Sequence, residues 1–533
     1  MHKTLSRLYT QCYQNVGKVN LARCIASGAR LSSTESRDEG HKWSTPLAKQ
    51  LAQAITTTGP IPVASYMRQC LTSDLGGYYS SAIPTSHDQF GVKGDFVTSP
   101  QISQIFGELI GIWVVAEWIA QGKKKEGVYL MEMGPGRGTL MDDMLRTIYN
   151  FPALAKALEA VYMVESSPNL RQAQHKLLCG RNELKEIDIG WESMSKYSPG
   201  LKIIWAEDMR LVPREAEKTP FIIAHEFFDA LPIHVFQSLT PPPQKAESTI
   251  QTPTGPVKAH GRIPKRQQWR ELVVSPKPPH RLKQGEPEFE LTMSKTATPY
   301  SMYLPETSSR YKALRDIDGA TIEISPDSQA FVRDFAIRIG GSTPAQAVAQ
   351  IKSPPSSHTG QSASKEESLL KAHPSGAALI IDYGPAATVP ANSLRGIKQH
   401  KLVSPFESPG TTDISADVDF LALAECAIDA SLGVEVHGPV DQARFLRAMG
   451  IEERAAQLVK LAVDQERSRS SGQDKKDLTE LVKTIESGWR RLVDTGPQGM
   501  GRLYQIMAIL PYHPPQDGSP RRRPVGFGGD VNI

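Results

Sequence analysis

Three glycines at alternate positions, Gly134, Gly136 and Gly138, break the chain just after an apolar run, Val128-Tyr129-Leu130-Met131-Glu132-Met133. Glycine permits a sharp turn and lets a ligand approach where a Cβ would collide. Glu132 stands near the carboxyl end of the run. A second apolar run, Val161-Tyr162-Met163-Val164, ends in Glu165. An acid there can accept hydrogen bonds from both hydroxyls of a ribose. The alternative is an ordinary tight turn that needs glycine. Three glycines between a strand and a helix, with Glu165 to follow, favour the binding of a nucleoside. The spacing Gly-x-Gly-x-Gly departs from the dinucleotide pattern Gly-x-Gly-x-x-Gly and disfavours a dehydrogenase.

More acids stand where apolar runs end. Phe221-Ile222-Ile223-Ala224 leads into His225-Glu226-Phe227-Phe228-Asp229-Ala230-Leu231-Pro232, and Ala377-Ala378-Leu379-Ile380-Ile381 into Asp382-Tyr383-Gly384. Open α/β sheets bind ligands at the carboxyl ends of their strands, which makes Glu226 and Asp229 candidates. Asp229 is equally suited to turning the chain before Pro232, and His225 to satisfied burial in the core. After Leu201-Lys202-Ile203-Ile204-Trp205, Asp208 is placed to meet an adenine or to be a solvated loop acid. Asp413, Asp417 and Asp419 lack the glycine and terminal glutamate of a calcium loop. They read as caps and turn-formers, and no metal set is predicted.

These residues need a scaffold of alternating strands and helices. Leu140, Met144, Leu145 and Ile148 make one apolar face of a helix over 139–149. Helices are also predicted over 45–55, 62–71, 326–339, 440–449, 452–463 and 476–490. Residues 105–120 are the most apolar stretch, but Glu108 and Glu117 mark a buried helix rather than a membrane span. Residues 234–237 and 268–274 read as a hairpin, and 502–510 as a strand suited to a sheet edge. The polar stretches 241–265 and 353–368 read as mobile insertions, and the tail after 511 as disordered.

The 533 residues suffice for two domains or one large domain with insertions. A net charge of +4 gives no argument for a polyanion partner. The five cysteines are scattered without a Cys-x-x-Cys pair, against a disulfide framework or zinc site. Before Glu35 there is no acid, while Lys3, Arg7, Lys18, Arg23 and Arg30 alternate with serines and apolar residues. That composition predicts a mitochondrial transit peptide over 1–36, against a minority reading as a basic tail.

The glycine loop with its acid-tipped second strand resembles the S-adenosylmethionine site of class I methyltransferases. The ordered blocks extend the resemblance: Gly94-Asp95-Phe96-Val97-Thr98-Ser99-Pro100, Phe106-Gly107-Glu108-Leu109, Gly134-Pro135-Gly136-Arg137-Gly138-Thr139-Leu140, Glu226 to Pro232, Asp382-Tyr383-Gly384, Thr412 to Phe420 and His437-Gly438-Pro439-Val440. Together they are similar to the mitochondrial protein arginine methyltransferases that serve in complex I assembly. The resemblance implies an α/β, Rossmann-like class I methyltransferase fold with helical amino- and carboxyl-terminal additions and mobile insertions. Residues 45–125 would form a helical segment over the cofactor site and 126–511 the methyltransferase domain.

It further implies S-adenosylmethionine as cofactor, bound by Glu132, Gly134, Gly136, Gly138, Glu165 and Asp208. The substrate would be an arginine of a complex I core subunit in the matrix, symmetrically dimethylated, with Glu226 and Asp229 receiving it. His225 stands where the family pattern expects asparagine, and the 241–265 insertion is longer than expected. The competing reading is a non-catalytic assembly chaperone that uses the fold as a platform. A nucleic-acid methyltransferase is disfavoured by the lack of an Asn-Pro-Pro-Tyr type motif and of a basic aromatic groove.

Overall fold

Every side chain of strand β1 (Val128–Met133) is buried, and the two sides of the strand enter different cores. Val128 and Leu130 face one helical layer, Tyr129, Met131 and Met133 the other. The period of two fixes this division, and a strand covered on both faces has no polar side to show. The computed structural model describes residues 42–80, 97–240, 249–258, 267–282, 285–342, 369–467, 475–514 and 522–529. The expected import signal, Asp95-Phe96 and the 353–368 stretch lie outside the described residues.

The remaining strands of the main sheet are β2 (Leu158–Val164), β3 (Lys185–Ile187), β4 (Gly190–Met194), β5 (Lys202–Ala206), β6 (Thr219–His225), β7 (Ala377–Tyr383), β8 (Val434–Asp441) and β9 (Tyr504–Pro511). Their order is β8-β9-β7-β6-β1-β2-β5-β4-β3. The pairs β1/β2, β1/β6, β2/β5 and β6/β7 are parallel, whereas β9 runs antiparallel to both β7 and β8. A parallel sheet with a reversed last strand slotted inside its edge is the class I methyltransferase arrangement that the motifs imply. The sequence suggests that 502–510 lies at the edge. Instead β8 covers it, a strand hidden in sequence by the Gly438-Pro439 break, and the next helix begins only at Gln442.

The helices that matter for the site are α1 (Pro46–Thr58), α2 (Val63–Thr72), α3 (Gln104–Ala120), α4 (Thr139–Ile148), α5 (Pro168–Cys179), α6 (Pro326–Gly340) and α7 (Phe420–Ala430). Helix α3 is buried on almost every side, and its two acids are neutralised from afar. Arg454 Nε donates to Glu108 at 2.7 Å, and Arg522 Nη2 donates to the fully buried Glu117 at 2.5 Å. That second pair bears on the tail. Residues 522–529 are placed against the core rather than disordered, with Val525 buried and Phe527 beside Phe445, ring centres 5.6 Å apart. The physical reason is Glu117, a buried carboxylate that requires a cation.

A second, five-stranded sheet contains the expected hairpin, His234–Leu239 against Gln268–Pro276. Within the insertion, Thr249–Thr252 and Gly255–Lys258 form a small hairpin of their own. Helices α1 and α2 pack on this sheet, with Tyr66 and Met67 against Val274 and Phe289. The amino-terminal helices thereby reach the carboxyl edge of the main sheet from the side.

Candidate functional site

At the carboxyl ends of β1, β2, β5 and β6 lies a cavity of about 400 Å³. Its wall includes Glu132, Gly134, Gly136, Glu165, Asp208 and Glu226, six of the eight residues singled out from sequence. Gly134 has φ +59°, and a Cβ there would come within 3.0 Å of the Phe227 ring, which also lines the cavity. Gly138 stands behind the wall. Its φ of +80° begins α4, and its amide donates to Pro135 O at 2.7 Å to close the turn.

Gln174, fully buried in α5, ties the loop to the second strand. Its Nε2 donates to Gly136 O at 2.6 Å and to Glu165 Oε2 at 3.0 Å, while its Oε1 accepts from Trp205 Nε1 at 2.9 Å. Glu165 Oε1 accepts from the Ser167 amide at 2.7 Å. Burial pushes Glu165 up to about 7, opposed by these donors. Burial, and then the charge of Glu165, raise Glu132 well above the usual carboxylate range; its Oε2 is buried with no partner. Burial also acts on Asp208, but Arg210 donates to it and more than offsets that, so its carboxyl is lowered.

Glu226 and Asp229 part company. The chain bends tightly around Asp382 Oδ2, which accepts from the amides of Phe227, Phe228 and Asp229 at 3.1, 2.8 and 3.4 Å. Around such a turn successive side chains diverge. Glu226 and Phe227 enter the cavity, Phe228 enters the core, and Asp229 is absent from the cavity wall. Burial pushes Asp229 up to about 6 and Arg395 opposes it. Burial pushes Glu226 up to about 8, opposed by Tyr504, whose hydroxyl donates to Oε1 at 2.6 Å. His225 also lines the cavity; burial holds its imidazole down at about 3, hence neutral.

The described amino-terminal residues close over this edge. Arg68, Leu71, Thr72, Tyr79, Thr98 and Gln101 all line the cavity. Thr98 stands at the N-cap of the short helix Ser99–Ile102, where its amide donates to Gln101 Oε1 at 3.3 Å. The three aspartates set aside as caps divide their labour. Asp419 caps α7 by accepting from the Ala422 amide at 3.1 Å, Asp417 accepts from Arg395 Nη1 at 2.6 Å, and Asp413 accepts from the Tyr79 hydroxyl at 3.0 Å.

Residues 109–440 match the model of the family described as "Putative S-adenosyl-L-methionine-dependent methyltransferase". The chain belongs to this methyltransferase family. Among curated proteins it is similar to the protein arginine methyltransferase NDUFAF7, mitochondrial, of Rattus norvegicus, with 32% identity over 95% of this chain and 93% of that one. The Homo sapiens protein of the same name is 32% identical over 90% of this chain and 86% of its own. In fold it is similar to a crystal structure from Burkholderia thailandensis with S-adenosyl-homocysteine bound, at TM-score 0.56 and 22% identity, covering 91% and 94% of the two chains.

The methyltransferase uses S-adenosylmethionine, and its cavity fits that molecule. The unpartnered Glu132 Oε2 is a buried acceptor for hydroxyl or ammonium donors, and the glycine wall leaves the backbone bare. Sequence reasoning missed Gln174, Tyr504 and the task of Asp382. Gln174 sits in an unremarkable helical stretch, and Tyr504 lies far along the chain in a strand whose neighbours only the sheet reveals. Asp382 did carry a signal, an acid ending an apolar run, shared with Glu165 and Glu226.

Removing the Asp382 carboxylate should strand buried amides at Phe227 and Phe228, each costing about 1–3 kcal/mol. Asp382→Ala should therefore lose about 2–5 kcal/mol in denaturant unfolding, and amide exchange at 227 and 228 should accelerate beyond the global change. Unchanged protection at those two amides would show that the turn holds itself.

Proposed function

We propose that this methyltransferase acts on arginine side chains of a protein. The observation that carries this reading is the charge around Glu226. Glu226 faces the cavity, Asp229, Asp382 and Asp413 stand around it, and Arg395 is the guanidinium that offsets Asp229. Such a surplus of buried carboxylate favours the entry of a cation, which would draw Glu226 back into its ionised form. A planar guanidinium suits a carboxylate better than an ammonium does, because it presents paired N–H donors. The names of the rat and human relatives support the arginine assignment.

Glu226 would hold the guanidinium and aim one nitrogen at the methyl group, and Asp229 would add negative charge from behind. Phe227, on the wall between Glu226 and Gly134, would keep water from the reacting centre. On the other side, Gly134 and Gly136 would let the cofactor's amino-acid end approach the backbone, with Gly138 fixing the turn. Glu132 and Glu165 would accept from its hydroxyl and ammonium groups, and Asp208 would meet the adenine. The cofactor supplies an electrophilic methyl group; orientation and charge come from the protein.

The motif resemblance extends the proposal to an arginine of a complex I core subunit, symmetrically dimethylated in the mitochondrial matrix, with residues 1–36 as the import signal. It also supports 45–125 as the segment covering the cofactor and 126–511 as the methyltransferase domain.

Two substitutions separate the halves of the site. Gly134→Val should abolish cofactor binding in calorimetry while circular dichroism stays native, since its side chain meets Phe227 and demands φ +59°; intact binding would refute the cradle. Glu226→Gln should slow methyl transfer by about one to three orders of magnitude with cofactor affinity barely changed. A wild-type rate would move the arginine-holding role elsewhere. In cells, mass spectrometry should find the complex I arginine methylated with the full-length chain and unmethylated when residues 1–36 are deleted, although the shortened protein still binds cofactor. Methylation that is indifferent to the chain would favour the chaperone reading.

A further inference from the structure

A pair of tyrosines stands behind Glu226. Tyr383 ends β7 and Tyr504 begins β9, and the antiparallel register sets them opposite each other. Their ring centres are 4.0 Å apart and their hydroxyl oxygens 2.5 Å apart. Tyr504 is fully buried, and its oxygen lies 2.6 Å from Glu226 Oε1. A phenol has one proton to donate. With Glu226 as the carboxylate acceptor, that proton goes to Oε1, and Tyr504 accepts the proton of Tyr383 in turn. The hydroxyls thus form a directed line that ends on the carboxylate.

We propose that Tyr504, backed by Tyr383, is a positioning residue that aims the Glu226 carboxyl group into the cavity and favours its charged form for an entering cationic side chain. This rests on the reading of Glu226 as the arginine-holding acid. Glu226 sits at φ +50°, a conformation costly for a residue with a Cβ, so the turn dictates where its side chain starts. The Tyr504 hydroxyl then fixes where it ends.

The groups facing Glu226 come from every neighbouring element. The Ser99 amide of the amino-terminal segment donates to it, while Asp229 and Asp413 oppose its charge. Asp382 lies behind the turn. His225 stacks nearly parallel on Tyr504, 6.3 Å between centres, with its Nε2 3.4 Å from the same Oε1. That imidazole is neutral, so it adds no positive charge. Arg395 stands over the Tyr383 ring at 5.4 Å and is paired with Asp417. Among the described residues no lysine or arginine is ion-paired with Glu226, and the hydroxyl line and the Ser99 amide support its ionised form. A donor to the charged form lowers a carboxyl pKa. Loss of Tyr504 would raise that of Glu226 further above 8, and ionisation would have to be recovered with added base.

The test is the titration of the Glu226 side-chain carboxyl by carbon-13 NMR in the full chain, its resonance assigned by its loss in Glu226→Gln. The wild-type midpoint should lie near 8. Tyr504→Phe should move it upward by about one unit, and Tyr383→Phe in the same direction by less. In parallel, kcat/KM for an arginine peptide should shift along the pH axis by the same amount, with Tyr504→Phe recovering toward the wild-type rate at high pH. A merely structural tyrosine would lower the rate equally at every pH. Should Tyr504→Phe not fold, Tyr383→Phe, which changes a half-buried residue, still reads the line. Unmoved midpoints, or a loss that base does not rescue, would overturn the proposal. Binding of N-acetylarginine amide undiminished in Glu226→Gln would instead strike the docking reading, and the NMR midpoint would judge the tyrosine line independently.

Discussion

The Asp382 carboxylate holds this site together. It ends β7, is wholly buried, and accepts four amides, three from the 227–229 turn at Oδ2 and its neighbour Tyr383 at Oδ1, 2.9 Å away. Burial and the charge of Asp229 raise its pKa, and the amides oppose them. A turn with three amides pointing inward cannot be satisfied by itself in a dry interior. One carboxyl oxygen does what a strand would otherwise have to do. The parallel pairing of β6 with β7 places the carboxylate there, since Ile381 stands beside His225 in the register.

From that anchor the site divides by charge. On the side of β1 and β2, two carboxylates crowd a glycine wall, and Gln174 fixes both the wall and Glu165 with one amide group. On the side of β6 and β7, carboxylates outnumber cations around Glu226. The first side presents acceptors for hydroxyl and ammonium donors, the second a surplus of carboxyl groups. Phe227 stands between them and touches the space a Gly134 side chain would need.

The additions around the sheet serve these two sides. Helix α2 and the Thr98–Gln101 segment bring the amino-terminal part of the chain to the cavity, and the Ser99 amide reaches Glu226 itself. At the opposite end of the chain, β9 supplies Tyr504, and the 522–529 segment neutralises α3 through Arg522. Residues from the early and late parts of the described chain, Ser99 and Tyr504, thus meet at Glu226.

Much of this was legible in the sequence. Apolar runs of strand length with acids at their ends marked Glu132, Glu165 and Glu226, all on the cavity wall, because parallel strands buried on both faces need unbroken apolar runs and their carboxyl ends hold ligands; the class I fold came from the resemblance of the motif blocks. The glycine spacing gave the cradle. Both signals are local, carried by residues adjacent in the chain. The residues that tertiary structure alone assigned are those whose partners are distant: Asp382 with the 227–229 turn, Gln174 with Gly136, Tyr504 with Glu226, Arg522 with Glu117. The separation of Glu226 from Asp229 belongs with them. Three positions of spacing say nothing about direction until an amide-wrapped turn decides which side chain meets the cavity. Periodicity reports what a segment must bury; hydrogen-bond partners tens to hundreds of residues away are chosen by strand order, and strand order exists only in the folded sheet.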